Sequence, residues 1–301
     1  MLRANGVWNT ALLEVSGDPF HVSAAKELKV FSSKTLRRTR HAVHTRADPF
    51  LFVKGDWLYL FLEVQQVGLP GYIEAYRTAD LLSFEPLGPI LRNAAHFSYP
   101  QVFCAGSDIY LIPESEASQE VALYRFDAFP FGLRKDHTLL HGGYADCTIF
   151  QHDGLWWLFT WSAKGLELHF APDLSAPFQQ HPIGVITSDP AFARCGGGVV
   201  EVDGQLYRPA QDCSAGYGGN LSMMRIDELT RTNYRETCAR RNIYDRVPAW
   251  RSRGAHHFSL ATFAGRTIIA VDGQQQDYWM NRPISLFLKG ALWITSFAKS
   301  T

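Results

Sequence analysis

The sequence predicts an all-β protein, a five-bladed β-propeller, on three observations. Five segments can be laid over one another, each is a pair of apolar strands joined at a glycine, and their starts fall 51, 47, 50 and 61 residues apart. A period of roughly 40–50 residues built from short strands marks propeller blades, because one small sheet buries its faces only against neighbouring copies of itself.

The first pair runs from Asp48-Pro-Phe-Leu-Phe to a strand ending at Glu63 and turns at Gly55. The second runs from Tyr99-Pro-Gln-Val-Phe to Glu114 through Gly106, and the third from Asp146-Cys-Thr-Ile-Phe to Trp161 through Gly154. The fourth runs from Gly196-Gly-Gly-Val-Val to Gln211 through Gly204, and the fifth from His257-Phe-Ser-Leu-Ala to Asp272 through Gly265. Shorter alternating segments follow four of the pairs: Gly71–Arg77, Val121–Phe126, Leu166–Phe170 and Asn220–Ile226. Alternation of apolar and polar residues suits outer strands with one wet face. Turn-forming clusters such as Asp127…Pro130 and Pro172-Asp-Leu-Ser lead into a fourth strand.

Long helical periodicity is absent and no low-complexity linker divides the chain, so residues 1–301 read as one domain with blades starting near 48, 99, 146, 196 and 257. A propeller must close its ring to hide strand edges. Either the N-terminal strand around Trp8 to Leu13 or the final segment Pro283-Ile-Ser-Leu-Phe-Leu completes the last blade, so residues 1–47 pack on the ring or close it. The basic run Lys34 to Arg46 reads as a solvated connection.

Lys+Arg and Asp+Glu both number 29. A neutral chain lacks the basic field behind nucleic-acid affinity, and no apolar stretch is long enough to span a bilayer. Five scattered cysteines without a CxxC argue against a disulfide framework or a structural zinc site. With no apolar leader at the N-terminus, a cytoplasmic location is expected. Nothing in the sequence specifies an oligomeric state.

In an antiparallel hairpin the start of one strand lies beside the end of the next. Five rim pairs follow: Asp48 with Glu63, Tyr99 with Glu114, Asp146 with Trp161, Gly196 with Gln211, and His257 with Asp272. Carboxylates gathered in a narrow channel raise one another's pKa, which folding does not require and chemistry does. Aromatic rings beside acceptors also suit a saccharide. Asp48, Glu114, Asp146 and His257 are therefore the candidate catalytic residues. Glu63, Tyr99, Trp161, Arg208, Gln211, Asp212, His256 and Asp272 are the candidate substrate-binding residues. With no HxH or HExxH spacing the sequence assigns no metal and no certain cofactor. A structural cation in the central channel is the one candidate, with His257 the ligand that can be named.

Ala47-Asp-Pro-Phe in the first blade and Asp146 opening the third resemble the five-bladed propeller of the glycoside hydrolase superfamily of families 43, 32, 62 and 117. More narrowly, His96-Phe-Ser-Tyr-Pro-Gln-Val-Phe, Ile112-Pro-Glu-Ser, Leu123-Tyr-Arg-Phe, Phe129-Pro and Tyr207-Arg-Pro-Ala-Gln-Asp-Cys are similar to one branch. That branch is the propeller domain of plant glucosamine inositolphosphorylceramide transferases and of bacterial relatives attached to formyltransferase-like domains, and the likeness spans about residues 44 to 285. The hydrolase resemblance implies that Asp48 is general base or nucleophile and that Asp146 orients or tunes the acid. The acid it implies, a glutamate opening the fourth blade, is missing: the place reads Arg194-Cys-Gly-Gly-Gly. Glu114 is the substitute by chemistry, its pKa raised by Glu63 and Asp146, with His257 second.

Two functions follow as expectations. One is a glycoside hydrolase-like enzyme with Asp48 as base or nucleophile and Glu114 as acid. The other is a non-hydrolytic glycan-binding or glycosyltransferase-associated protein in polysaccharide or glycolipid biosynthesis. Either way the partner is a saccharide or glycoconjugate.

Overall fold

A computed structural model describes residues 7–33, 42–244 and 248–275. The N-terminal strands are β1 (Val7–Val15) and β2 (Lys26–Phe31). Next come β3 (Val43–Lys54), β4 (Trp57–Gln66), β5 (Tyr72–Thr78) and β6 (Glu85–Leu91), then β7 (Ser98–Ala105), β8 (Asp108–Glu114), β9 (Glu120–Ala128) and β10 (Phe131–His141). A third group is β11 (Ala145–His152), β12 (Leu155–Ser162), β13 (Gly165–Ala171) and β14 (Gln179–Thr187). The fourth has a split inner strand, β15 (Arg194–Cys195) and β16 (Val200–Val202), followed by β17 (Gln205–Asp212), β18 (Asn220–Leu229) and β19 (Tyr234–Arg240). Last are β20 (Phe258–Phe263) and β21 (Arg266–Gln275).

Antiparallel pairing joins each consecutive group into a small sheet, as propeller blades require. The last hairpin, β20–β21, is extended by β1 along nine pairs from Val7–Gln275 to Val15–Thr267, and β2 follows at the edge. The N-terminal strand therefore closes the ring. One parallel pair, Trp8 with Thr45, links this closing sheet to β3. The segment from Pro283 and most of the basic run, residues 34–41, lie outside the described residues. The described residues contain no α-helix, only three single 3₁₀ turns.

Local chemistry accounts for the hairpins. Asp153-Gly154, Asp203-Gly204 and Ala264-Gly265 have positive φ at both residues, the primed turn whose twist matches a right-twisted strand pair. Between sheets the core is aromatic: Phe61 meets Phe126 at 6.2 Å, Phe103 meets Trp156 at 5.3 Å, and Phe159 meets Tyr234 at 5.6 Å. Each such ring contributes about 1.5–3 kcal/mol by leaving water.

One device recurs and sets up the site. The inner strands β3, β7 and β11 each carry a bulge near their start, at Ala47/Phe50, Ser98/Gln101 and Ala145/Thr148. In each bulge one residue takes a left-handed conformation: Asp48 (φ +52°), Tyr99 (φ +48°) and Asp146 (φ +48°). A bulge turns a side chain off the pleat, and left-handed backbone in a non-glycine residue is strained, which is usual beside functional sites.

Candidate functional site

The bulges shift the rim pairing by one residue. Glu63 pairs with Ala47, Glu114 with Ser98 and Trp161 with Ala145. In the fourth sheet Gln211 lies opposite Arg194, not Gly196. The glycines there serve backbone approach instead: a Cβ on Gly197 (φ +139°) would stand 1.9 Å from the Phe258 carbonyl oxygen, and Phe258 N–H donates to Gly196 O at 2.7 Å.

These ends enclose a cavity of about 250 Å³. Its wall carries the carboxyls of Asp48, Glu63 and Glu114, with His96, Ser98, Arg194, Tyr217, His256 and Trp8. Asp48 is buried, and its Oδ2 accepts the Tyr99 N–H at 3.3 Å. Burial pushes its pKa well above the carboxylate range. The cation of His256, whose Nε2 is 3.8 Å from Oδ1, pulls the other way, while Asp146 and Glu63 push it up further. Glu114 accepts from Ser98 Oγ at 2.5 Å and from the Glu116 N–H at 2.7 Å. Its pKa is raised by burial first and by Asp146 next. Glu63, the other expected cause, instead stands 3.3 Å from His96 Nε2. The Gly71 N–H donates to His96 Nδ1 at 3.0 Å, which leaves the ring proton on Nε2 facing Glu63.

Asp146 is buried behind this wall. Its Oδ2 accepts from Arg194 Nε at 2.5 Å and from Gln211 Nε2 at 2.7 Å. Gln211 also donates to Cys195 O, so it orients Asp146 from beneath. The Arg194 guanidinium lies over the Trp161 ring at 4.8 Å and the Tyr217 ring at 5.1 Å, and reaches the cavity where Asp146 does not.

Asp272, fully buried, anchors the floor. It accepts the N–H groups of His256 (2.9 Å), His257 (3.0 Å) and Asp48 (3.3 Å), and lies 2.5 Å from His256 Nδ1. Burial works against a charge on His256, but Asp272 more than offsets it, and the pKa rises to about 9. His256 is therefore an imidazolium at neutral pH and Asp272 its carboxylate partner.

Four expected site residues have other work. Tyr99 is fully buried, its hydroxyl bonded to Thr148 Oγ1 (2.7 Å) and Gly197 (2.7 and 2.9 Å), so it ties three inner strands together and touches no ligand. His257 is equally buried, and burial lowers its pKa to about 3, which removes it as a proton donor near neutrality. Arg208 is fully buried away from the cavity, held by Glu236 at 2.6 and 2.9 Å and by Phe192 O. Asp212 caps its own turn through Ser214 N–H and Oγ.

Arg194, His96, Ser98, Tyr217 and Trp8 went unassigned in the sequence reading. A one-residue allowance for the bulges would have found Ser98. Trp8 and Tyr217 gave no signal, since one lies on the closing strand and the other in a glycine-rich loop.

Among the described residues, one His/Asp group could surround a cation: Asp48, His256 and Asp272. In this structure Asp272 accepts three backbone N–H groups and stands 2.5 Å from His256 Nδ1, and His257, the ligand the sequence names, is not in this group.

A family model described as glucosamine inositolphosphorylceramide transferase 1, N-terminal, matches residues 24–274. The chain belongs to this family. It is 35% identical over 245 residues to glucosamine inositolphosphorylceramide transferase 1 of Oryza sativa subsp. indica, covering 76% of this chain and 33% of that protein. The Arabidopsis thaliana protein of the same name is 32% identical over 253 residues, covering 76% and 32%. The chain thus spans about a third of the length of the curated relatives it matches. Among solved structures, a thermostable family-43 glycoside hydrolase superposes with a TM-score of 0.55 at 11% identity, covering 69% of this chain and 79% of that one. An α-L-arabinofuranosidase from Clostridium thermocellum gives 0.55 at 13% identity, covering 74% and 80%. At such identities the likeness is one of fold, and the fold is the family-43 propeller. Among the described residues no helix is long and apolar enough to cross a membrane.

Proposed function

We propose that the protein is a glycoside hydrolase-like enzyme that seats one sugar residue in the cavity above Asp48. The observation that carries this reading is the placement of two carboxyls, Asp48 and Glu114, in the wall of one cavity. Glycoside hydrolysis needs one carboxyl that arrives protonated and one that acts as base or nucleophile. Glu114 is the donor: burial raises its pKa, and Ser98 and the Glu116 N–H fix its direction. Asp48 is the base or nucleophile, with the His256 imidazolium drawing it towards ionisation. Arg194, packed over the Trp161 ring, adds guanidinium donors to the cavity wall.

A second reading has its own observation. Where the hydrolase resemblance expects an acid, the fourth sheet opens with Arg194, which is locked to Asp146. Arginine cannot deliver a proton at neutral pH. That substitution, with the transferase names of the relatives, supports a glycan-binding or glycosyltransferase-associated module in polysaccharide or glycolipid biosynthesis.

The test is a panel of aryl and methyl glycosides, scored for turnover and for binding by NMR. Turnover supports the enzyme, and binding without turnover supports the module. A panel with neither sinks both readings.

A further inference from the structure

Tyr217 lies on the loop between β17 and β18 and takes no part in the carboxyl chemistry above, yet it forms cavity wall with its hydroxyl fixed from behind. His256 Nε2 stands 2.8 Å from Tyr217 Oη. The direction of that hydrogen bond can be worked out from Asp272. A carboxylate ringed by three N–H donors only accepts, so the His256 Nδ1 beside it carries a proton. The charged groups that face His256 are Asp272, Asp48 and Asp146, with neutral His257 next in sequence and Arg194 on the far side of the Tyr217 ring. Carboxyls dominate that set and favour the doubly protonated imidazole, in which Nε2 donates to Tyr217 Oη.

The packing holds this arrangement in place. Trp8 stacks on the imidazole at 4.2 Å, with 19° between the planes, and the Tyr217 ring meets it edge-on at 5.0 Å. Gly218 (φ +66°) lets the loop close down, since a Cβ there would stand 2.7 Å from the Trp8 ring.

We propose that Tyr217 is a ligand-contacting hydrogen-bond donor of this cavity: His256 occupies its oxygen from behind, and its own proton is left for an acceptor oxygen of the sugar beside Asp48. The assignment rests on the saccharide reading. It makes Tyr217 a binding and positioning residue, wired through His256 to Asp272.

Two measurements on the full chain decide it. Long-range proton–nitrogen NMR of the histidine side chains should show both His256 nitrogens protonated at pH 7, and a pyridine-type Nε2 overturns the proposal. Tyr217→Phe should then weaken whichever methyl glycoside of the glucopyranoside, xylopyranoside and arabinofuranoside set binds wild type by about 3- to 10-fold, the range of one hydrogen bond. Unchanged affinity in Tyr217→Phe, beside a doubly protonated His256, overturns this assignment and leaves the saccharide reading standing. If no methyl glycoside binds wild type, the saccharide reading fails and takes the assignment with it. Gly218→Ala, which leaves the hydroxyl present but displaces the loop, should weaken the same glycoside in the same direction.

Discussion

Asp272→Asn tests the floor of the site. The substitution keeps the shape and removes the charge that sustains the His256 imidazolium. In the folded protein the His256 pKa rises from 6.5 to about 9. At 1.36 kcal/mol per pH unit, that rise makes the folded state more stable by about 3 kcal/mol wherever His256 is charged in both states. Because the folded pKa is the higher one, this stability is fully present below about pH 6.5. It is lost progressively as pH climbs through about 9. An independent argument agrees, since stranding one member of a buried ion pair costs about 3–5 kcal/mol.

The assay is denaturant unfolding of wild type and Asp272→Asn at several values between pH 6 and 10. Wild type should lose about 3 kcal/mol across the interval. Asp272→Asn should start lower by a similar amount and lack most of that slope, because its imidazole is neutral throughout. A variant within 1 kcal/mol of wild type at pH 6, or a wild-type curve level from pH 6.5 to 9, would refute the ion pair and with it the protonation of His256.

Three further outcomes follow from particular contacts. Asp48→Asn should abolish turnover, because an amide cannot act as base or nucleophile, while leaving the melting temperature within a few degrees of wild type, because it keeps the size of the side chain and an acceptor for the Tyr99 N–H; marked destabilisation would mean that Asp48 is a structural group. Glu114→Gln should slow hydrolysis of alkyl glycosides about 10²- to 10⁴-fold, the usual range for a general acid, and slow nitrophenyl glycosides far less; equal losses on both substrates would reassign Glu114 to binding. Glu236→Gln should cost about 3–5 kcal/mol on unfolding by leaving the fully buried Arg208 without a counter-charge, with glycoside binding unchanged at saturating protein stability; weakened binding would return Arg208 to the site.

The fold was legible because its signal is redundant. Five hairpins repeat one pattern, and any one of them could be misread without losing the period. Ring closure was not legible, since Trp8–Leu13 and the segment from Pro283 are equally apolar and strand-like; only the nine pairs between β1 and β21 separate them. The cavity was legible in part. Asp48, Glu63 and Glu114 line it from their rim positions, His256 lines it in place of its neighbour, the rim residue His257, and Asp146, Gln211 and Asp272 support it from behind. Ser98 was missed because period alone counts residues, whereas a bulge adds one and changes which side chain faces inward; Trp8 and Tyr217 lie outside the repeated hairpins. Tyr99 shows the effect plainly. It occupies the same bulge position as Asp48 and Asp146, yet its longer side chain passes beneath the cavity to Gly197 and becomes core.

Arg208 and Arg194 carry the same lesson into electrostatics. Both are arginines of the fourth sheet, and both meet a carboxylate at 2.5–2.6 Å. Arg208 sits mid-strand in β17, where the sheet-to-sheet packing excludes water, so its pairing with Glu236 only offsets its burial. Arg194 sits at the strand start, on the rim, with a fifth of its side chain open to the cavity. There the same ion pair holds a guanidinium over the Trp161 ring in the cavity wall. Position on the blade, more than residue type, therefore separates an ion pair sealed in the core from one that borders the cavity. The charge balance of the cavity rests on Arg194–Asp146 and His256–Asp272, two internal pairs that leave Asp48, Glu63 and Glu114 as the carboxyls lining it without an arginine partner.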